Sequence, residues 1–445
     1  MYEEHIHFIG IGGIGMSALA HVLVDNGISV SGSDIAFSSE LDRLKKKGVR
    51  ICIGQEEKNS KHATTVVYST AVVMQNPECR EALRQGVRLI HRSQLLAELM
   101  DGNTALLVAG THGKTTTSAL LAHVFINAHF DPSYAIGGIV RSLGSNGGGG
   151  KGSFFIAEAD ESDGSFLKYL PTGAIITNID NDHLDYWKSE DELLKGFQQF
   201  AHQVTRKESL FWCKDDDRLS SLGLGGCSYG FSEDADLYIE NYHQEGWENV
   251  FDFRFKNKSY EEVIIPLVGA HNVLNASAVF GIALQMGIPE EVIRSGLKSF
   301  SGVGRRAEKK GEVKEITVYD DYAHHPTEVV ATLRAMKAAI GEKRLIAAFQ
   351  PHRYTRLRDC MEQFPQVFDH ADVLVLTDIY SAREEPIEGV TIDILLEKIQ
   401  NRSLAEVHYA SREQLVDFFV QILKPGDVLV TMGAGDITKT GEELL

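Results

Sequence analysis

The unbroken apolar run Ala105–Ala109 is followed at once by Gly110-Thr111-His112-Gly113-Lys114-Thr115-Thr116, and a helical pattern begins at about Thr115. This is the strand–loop–helix order of a phosphate-binding loop. Backbone N–H groups in such a turn point at one spot, and the positive end of the helix dipole adds to the field there. Lys114 offers a mobile cation for the outer phosphates, and the Thr115 hydroxyl is placed to hold Mg²⁺. The spacing departs from Gly-x-x-x-x-Gly-Lys-Ser/Thr, whose first glycine would fall at Val108. A glycine turn beside a solvated lysine is the plain alternative. Gly-Lys-Thr-Thr after a strand favours ATP.

A second glycine turn opens the chain. The strand from His5 runs into Gly10-Ile-Gly12-Gly13-Ile14-Gly15, and a helix follows to about Asn26. The strand Ile28–Gly32 leads to Asp34. That acid stands about 20 residues past the turn, where a Rossmann-type unit binds a ribose hydroxyl. The glycine pattern alone is weak, and close strand–helix packing is its other explanation. With these flanks it predicts a nucleotide diphosphate site. Further βα pieces are Val66–Ala71, which carries Ser69 and Thr70, a helix around Glu78–Gln85, the strand Arg88–Ile90 leading to His91-Arg92, and a short helix, Gln94–Met100. Asp101–Asn103 reads as a linker.

The 445 residues suggest about three domains. With 43% hydrophobic and 24% charged residues the chain suits a soluble protein, and no run approaches the roughly 18 apolar residues of a membrane span. The acidic start, Met1-Tyr-Glu-Glu, is not that of a signal peptide. Five scattered cysteines show no Cys-x-x-Cys pair, which fits a reducing cytoplasm and neither a disulfide framework nor a zinc site. A net charge of −18 argues against nucleic acid. Anionic substrates must then be drawn by local cations.

Two strands beyond the phosphate loop end in acids: Phe154–Ala157 before Glu158-Ala-Asp160-Glu161, and Gly173–Asn178 before Asp180 and His183. Ligands of open α/β sheets bind beyond such strand ends. Thr115 and Glu158 suit Mg²⁺, and His183 is a softer third ligand; helix capping and a hydrogen-bonded core histidine are the alternatives. The low-complexity Gly144–Ser153 reads as a mobile tip. Residues 208–268 alternate as short β structure. Phe300–Arg306 reads as a hinge, from which Arg306 would reach a γ-phosphate. Later strands are expected at Lys314–Tyr319, Arg344–Phe349, Val373–Thr377, Glu406–Tyr409 and Asp427–Met432. The first ends in Asp320-Asp321-Tyr322-Ala-His324-His325-Pro326, which suits a ribose contact by Asp321 with histidines near the reacting groups, or a transition-metal site. The second ends in His352-Arg353-Tyr354-Thr355-Arg356, where Arg353 and Arg356 would grip a carboxylate. The expected fold class is α/β in three consecutive domains: an N-terminal Rossmann-like domain (1–102), a central P-loop ATPase-like sheet (103–300) and a C-terminal Rossmann-like domain (301–445).

Taken together, His7–Ser17, Gly110–Thr116, Glu158–Asp163, His271-Asn-Val-Leu-Asn275-Ala, Tyr319–Glu328 and Phe349–Arg356 resemble the ATP-dependent Mur ligases of peptidoglycan synthesis over nearly the whole chain. The resemblance implies that the first domain takes the UDP-sugar through Gly10, Gly12, Gly13, Ile14, Gly15, Asp34, Ser69, Thr70, His91 and Arg92. It implies that ATP binds at Gly110–Thr116 with His271, Asn275 and Asp321, and Mg²⁺ at Thr115, Glu158 and His183. The amino acid falls to Tyr322, His324, His352, Arg353 and Arg356, and catalysis to Lys114, Arg306 and His324. The arginine run looks like the branch that adds L-alanine to UDP-N-acetylmuramate, rather than the branch that adds a preformed peptide in cell-wall recycling. A monomer or weak homodimer is expected. Some relatives carry a carbamylated lysine; Lys195 and Lys207 are both ambiguous matches.

Overall fold

The computed structural model describes residues 4–445, and the acidic start Met1–Glu3 lies outside them. The chain divides into two compact units. The first takes the chain up to Asn241 with Phe251–Ile265 and Leu274–Ser301; the second takes Tyr242–Val250, Pro266–Val273 and Gly302–Leu445.

The first unit opens with a five-stranded sheet in the order Arg50–Ile53, Ser29–Asp34, His5–Ile9, Thr65–Tyr68, Arg88–His91, every pair parallel. Chain direction across the sheet reverses beside His5–Ile9, so a crevice opens at that strand's carboxyl end, where Gly10–Gly15 lies. The central sheet has ten strands. Its middle is parallel: Leu210–Cys213, Gly173–Ile176, Thr104–Ala109, Phe154–Glu158, Ser133–Val140. Leu106, Leu107, Val108 and Ala109 have no exposed surface. Helices cover both faces of such a strand, which is why it reads as a continuous apolar run. Among the described residues no helix is long and apolar enough to cross a membrane.

The second unit is built on six strands in the order Glu308–Val313, Ile316–Asp321, Val428–Met432, Leu345–Phe349, Val373–Leu376, Glu406–Tyr409. Only the first pair is antiparallel. The hairpin partner Glu308–Val313, being Glu-Lys-Lys-Gly-Glu-Val, has no strong β pattern that would mark it in the sequence.

The glycine-rich segment departs from expectation. Ser145–Gly148 is a strand paired antiparallel to Ser133–Val140, and Asn146 is wholly buried. Asn146 Nδ2 donates to Ile14 O at 2.6 Å and to Ser17 Oγ at 3.0 Å, bracing the helix that follows the first glycine turn. A Cβ on Gly147 would lie 2.2 Å from Ala18 O. Glycine is there for close backbone approach and not for freedom of motion. Gly147→Ala should therefore lower unfolding stability by about 1–3 kcal/mol, while Gly225→Ala, in open space, should be near neutral. Urea unfolding of the two variants checks this; equal stabilities would restore the mobile tip.

Candidate active site

At the first glycine turn, Gly10 adopts φ +77. Its N–H and that of Ile11 donate to Ser33 O, which leaves the turn open towards solvent. Asp34 pins the turn: its Oδ2 accepts from Gly12 N–H at 2.8 Å. The helix Ile14–Asp25 starts without a side-chain cap among the described residues, and Gly13 and Ile14 are exposed. Uncapped N–H groups at an exposed helix start suit a diphosphate. Ser69 and Thr70 follow the strand Thr65–Tyr68 at the same sheet edge. His91 Nδ1 is bonded to Ser93 Oγ, while its buried Nε2 has no partner among the described residues. Arg92 Nη1 lies 3.0 Å from where a Cβ on Gly15 would stand, and its Nη2 donates to Asp160 at 3.0 Å. Arg92 thus joins the diphosphate turn to the acids beside the phosphate loop.

The phosphate loop is clamped from the neighbouring strand end. A Cβ at Gly110, whose φ is +131, would lie 2.0 Å from Thr177 Oγ1. Thr111 N–H donates to Asn178 O, His112 N–H to Asn178 Oδ1, and Thr177 Oγ1 to His112 O. His112 Nε2 meets Asp180 at 3.0 Å. The helix Lys114–Asn127 then begins after Gly113, with Thr115 and Thr116 buried. Asn275 abuts the loop, its Oδ1 3.2 Å from a Cβ placed on Gly113. In the sequence Thr177, Asn178 and Asp180 read only as a strand end. Their service to the loop depends on the strand order, which no local pattern encodes.

Lys114 Nζ donates to Gly110 O, to Thr111 O and, at 2.7 Å, to Glu161 Oε2. Burial works against its charge, but Glu161 and Asp160 outweigh it and raise the lysine above its ordinary value. Glu158 accepts from Gly137 N–H, Ser118 Oγ and the Thr115 side chain. Burial pushes the Glu158 and Glu161 carboxyls up. His183 stands in the left-handed region at φ +59, its Nε2 3.7 Å from Asp182. Glu161 Oε1 is buried with no hydrogen-bond partner among the described residues. Oxygen donors from Thr115 and Glu158 fit a hard divalent cation such as Mg²⁺.

In the second unit Asp321 is 4% exposed, and its oxygens accept from Ala307 and Ala323 N–H. Burial pushes it up to about 6. Arg306 lies over the Tyr322 ring and 3.8 Å from Glu328. Asp320 and His325, in the same motif as Asp321, make contacts that hold the fold. Asp320 ties Arg305, Thr431 and Thr438, and His325 caps the helix Pro326–Ile340 in a capping box with Glu328. Tyr322, His324, His352 and Tyr380 form a chain of rings at 5.4, 5.9 and 5.6 Å. Burial, helped by His324, Arg356 and Arg353, pushes His352 down to about 3, so its neutral Nδ1 can accept from Arg356 at 3.2 Å. Arg353, in the left-handed region at φ +70, pairs with Glu384 at 2.8 Å; Glu384 also accepts from Thr355 N–H and Oγ1. His271, in the same unit, is exposed. Tyr380 and Glu384 were not singled out from the sequence. They arrive from a separate loop, and nothing in their local pattern marks them.

Two glycine turns at strand–helix junctions and an acid-lined lysine, on parallel sheets in series, are the frame of a nucleotide-dependent enzyme. The comparisons agree. Residues 5–104 match the model of the Mur ligase family, catalytic domain; 108–283 match the Mur ligase middle domain; and 305–435 match the Mur ligase, glutamate ligase domain. The chain belongs to the Mur ligase family. It is 46% identical to the UDP-N-acetylmuramate–L-alanine ligase of Protochlamydia amoebophila, covering 99% of this chain and 97% of that one. It is 44% identical to the bifunctional enzyme MurC/Ddl of Chlamydia pneumoniae, of whose length it spans 54%. Among solved structures, the UDP-N-acetylmuramate-alanine ligase of Thermotoga maritima matches with TM-score 0.85 at 28% identity, covering 99% and 98% of the two chains.

Asp160 generates a prediction. Burial alone would raise its carboxyl, but Lys114 and Arg92 outweigh burial and hold it at about 2 against an ordinary 3.8. A depressed acid contributes stability that is complete above its ordinary value and lost as pH falls through the folded one. The stability difference between wild type and Asp160→Asn, read by urea unfolding, should therefore shrink as pH falls from about 4 to about 3. A difference that does not change with pH would contradict the pairing.

Proposed function

We propose that this chain is an ATP-dependent ligase that joins L-alanine to the lactyl carboxylate of UDP-N-acetylmuramate, in the cytoplasm, giving UDP-N-acetylmuramoyl-L-alanine, ADP and phosphate for peptidoglycan synthesis. The observation that carries the reading is that one compact unit holds both a diphosphate turn and a phosphate loop, joined through Arg92 and Asp160, in a chain whose full-length relatives bear this activity in their names. Addition of a preformed peptide is the lesser reading. A murein peptide ligase from Psychrobacter arcticus matches less well, with TM-score 0.72 at 24% identity. We assign residues 1–102 to the UDP-sugar, 103–300 to ATP and 301–445 to the amino acid, in a monomer or weak homodimer.

A carboxylate does not acylate an amine in water, because oxide is too poor a leaving group. Attack of a lactyl oxygen on the γ-phosphorus expels ADP and leaves an acyl phosphate. The neutral amine of L-alanine then attacks the carbonyl carbon, and phosphate departs with the bridging oxygen. Repulsion between carboxylate and triphosphate is the first obstacle. Lys114 meets it as a preorganised cation, and Arg306 is assigned to the same charge. Thr115, Glu158 and His183 would hold Mg²⁺, which when bound supplies further positive charge at the phosphates. Tyr322, His324 and His352 would enclose the alanine, and Arg353 and Arg356 would take its carboxylate. The attacking amine must be neutral, but the ammonium of free L-alanine is almost wholly protonated near pH 7, so a base must take that proton, and His324 is assigned to it.

With ATP, Mg²⁺ and UDP-N-acetylmuramate, phosphate release should depend on L-alanine; release driven only by a tripeptide would favour the lesser reading. Lys114→Ala should abolish product while sparing UDP-sugar binding. Arg353→Ala and Arg356→Ala should each raise the KM for L-alanine by about tenfold or more, and unchanged values would move the carboxylate clamp elsewhere.

A further inference from the structure

An ammonium group has three N–H donors. Those of Lys114 go to Gly110 O at 2.5 Å, Thr111 O at 3.1 Å and Glu161 Oε2 at 2.7 Å. An outer phosphate reaches this lysine only if one of the three lets go. The two carbonyls belong to the phosphate loop and travel with it. Glu161 comes from another segment and is the one charged competitor. It is 1% exposed, and its second oxygen is buried without a partner among the described residues. Its peptide oxygen is held in place by Trp187 Nε1 at 3.0 Å, so the backbone that carries it is fixed.

The cost of releasing Lys114 falls on Glu161. A buried carboxylate that loses its cation carries a desolvation penalty with nothing to offset it. Asp160 and Glu158 are adjacent in the same segment, and a bare triphosphate would add more negative charge. A divalent cation arriving with the phosphates cancels that excess, and a carboxylate oxygen is what such a cation prefers. Resting on the reading of this loop as an ATP site, we propose that Glu161 is a charge-exchange latch: it yields Lys114 to metal-bound ATP and withholds it from metal-free ATP. Glu161 is thus a positioning residue that sets which form of the nucleotide is accepted.

The test is equilibrium binding of ATP to the full chain by titration calorimetry, in excess MgCl₂ and in EDTA at matched ionic strength. The ratio of the two dissociation constants is the readout. Glu161→Gln should narrow that ratio by about tenfold or more, chiefly by tightening metal-free binding. Asp160→Asn removes an equal charge from the same segment but leaves the Lys114 donors untouched, so it should narrow the ratio by less than about threefold. Glu161→Asp keeps the charge but is one methylene short of the lysine; it should also narrow the ratio, and it serves if the glutamine variant does not fold. An unchanged ratio in the Glu161 variants, or an equal shift in Asp160→Asn, overturns the latch. Failure of wild type to bind ATP under either condition would instead sink the ATP assignment, and the latch with it.

Discussion

Much of the first unit is arranged so that one ammonium group can stay charged below the protein surface. Lys114 sits among two loop carbonyls and Glu161. Asp160 beside it reaches the other way, to Arg92. Two adjacent acids therefore hold the cation of the phosphate loop and the cation of the diphosphate turn. Such groups are tolerated inside a protein only when every charge is matched and most lone pairs are used. One Glu161 oxygen escapes this rule, having no partner among the described residues.

The sheets explain why these groups meet. Parallel strands deliver all their carboxyl ends to one edge, and loops at that edge carry the chemistry. Thr104–Ala109, Phe154–Glu158 and Gly173–Ile176 are neighbours in the central sheet, so the phosphate loop, Glu158 and Asn178 are brought together by register alone. The second unit repeats the device: Asp321, Met432, Phe349 and Leu376 end successive parallel strands, and the ring cluster with its two arginines stands just beyond them. Glycine appears where backbone must pass close to another group, as at Gly110 against Thr177 and at Gly137 against Glu158.

What could be read from the residues was chemistry written contiguously. The phosphate loop, the first glycine turn and the acids at strand ends each announce themselves within about a dozen residues, because turn, cation and helix start must be adjacent to work. Groups that act across the fold were invisible: Glu161 as the partner of Lys114, Thr177 as the wedge against Gly110, and Glu384 as the anchor of Arg353. Each is an ordinary residue until strand order places it. The segment Gly144–Ser153 was misread for a related reason. Its composition is that of a flexible linker, and only the fold shows Gly147 and Gly149 packed on the helix Ile14–Asp25, and Gly150 and Gly152 on Phe130–Pro132.

If the chain activates the sugar's carboxylate as an acyl phosphate, an oxygen atom must pass from substrate to phosphate. UDP-N-acetylmuramate labelled with ¹⁸O in the lactyl carboxylate, turned over with ATP and L-alanine, provides the direct measurement. Mass spectrometry of the released phosphate should find one labelled oxygen per molecule formed from doubly labelled carboxylate. Unlabelled phosphate, with one heavy atom kept in the amide and the other lost to water, would contradict the account.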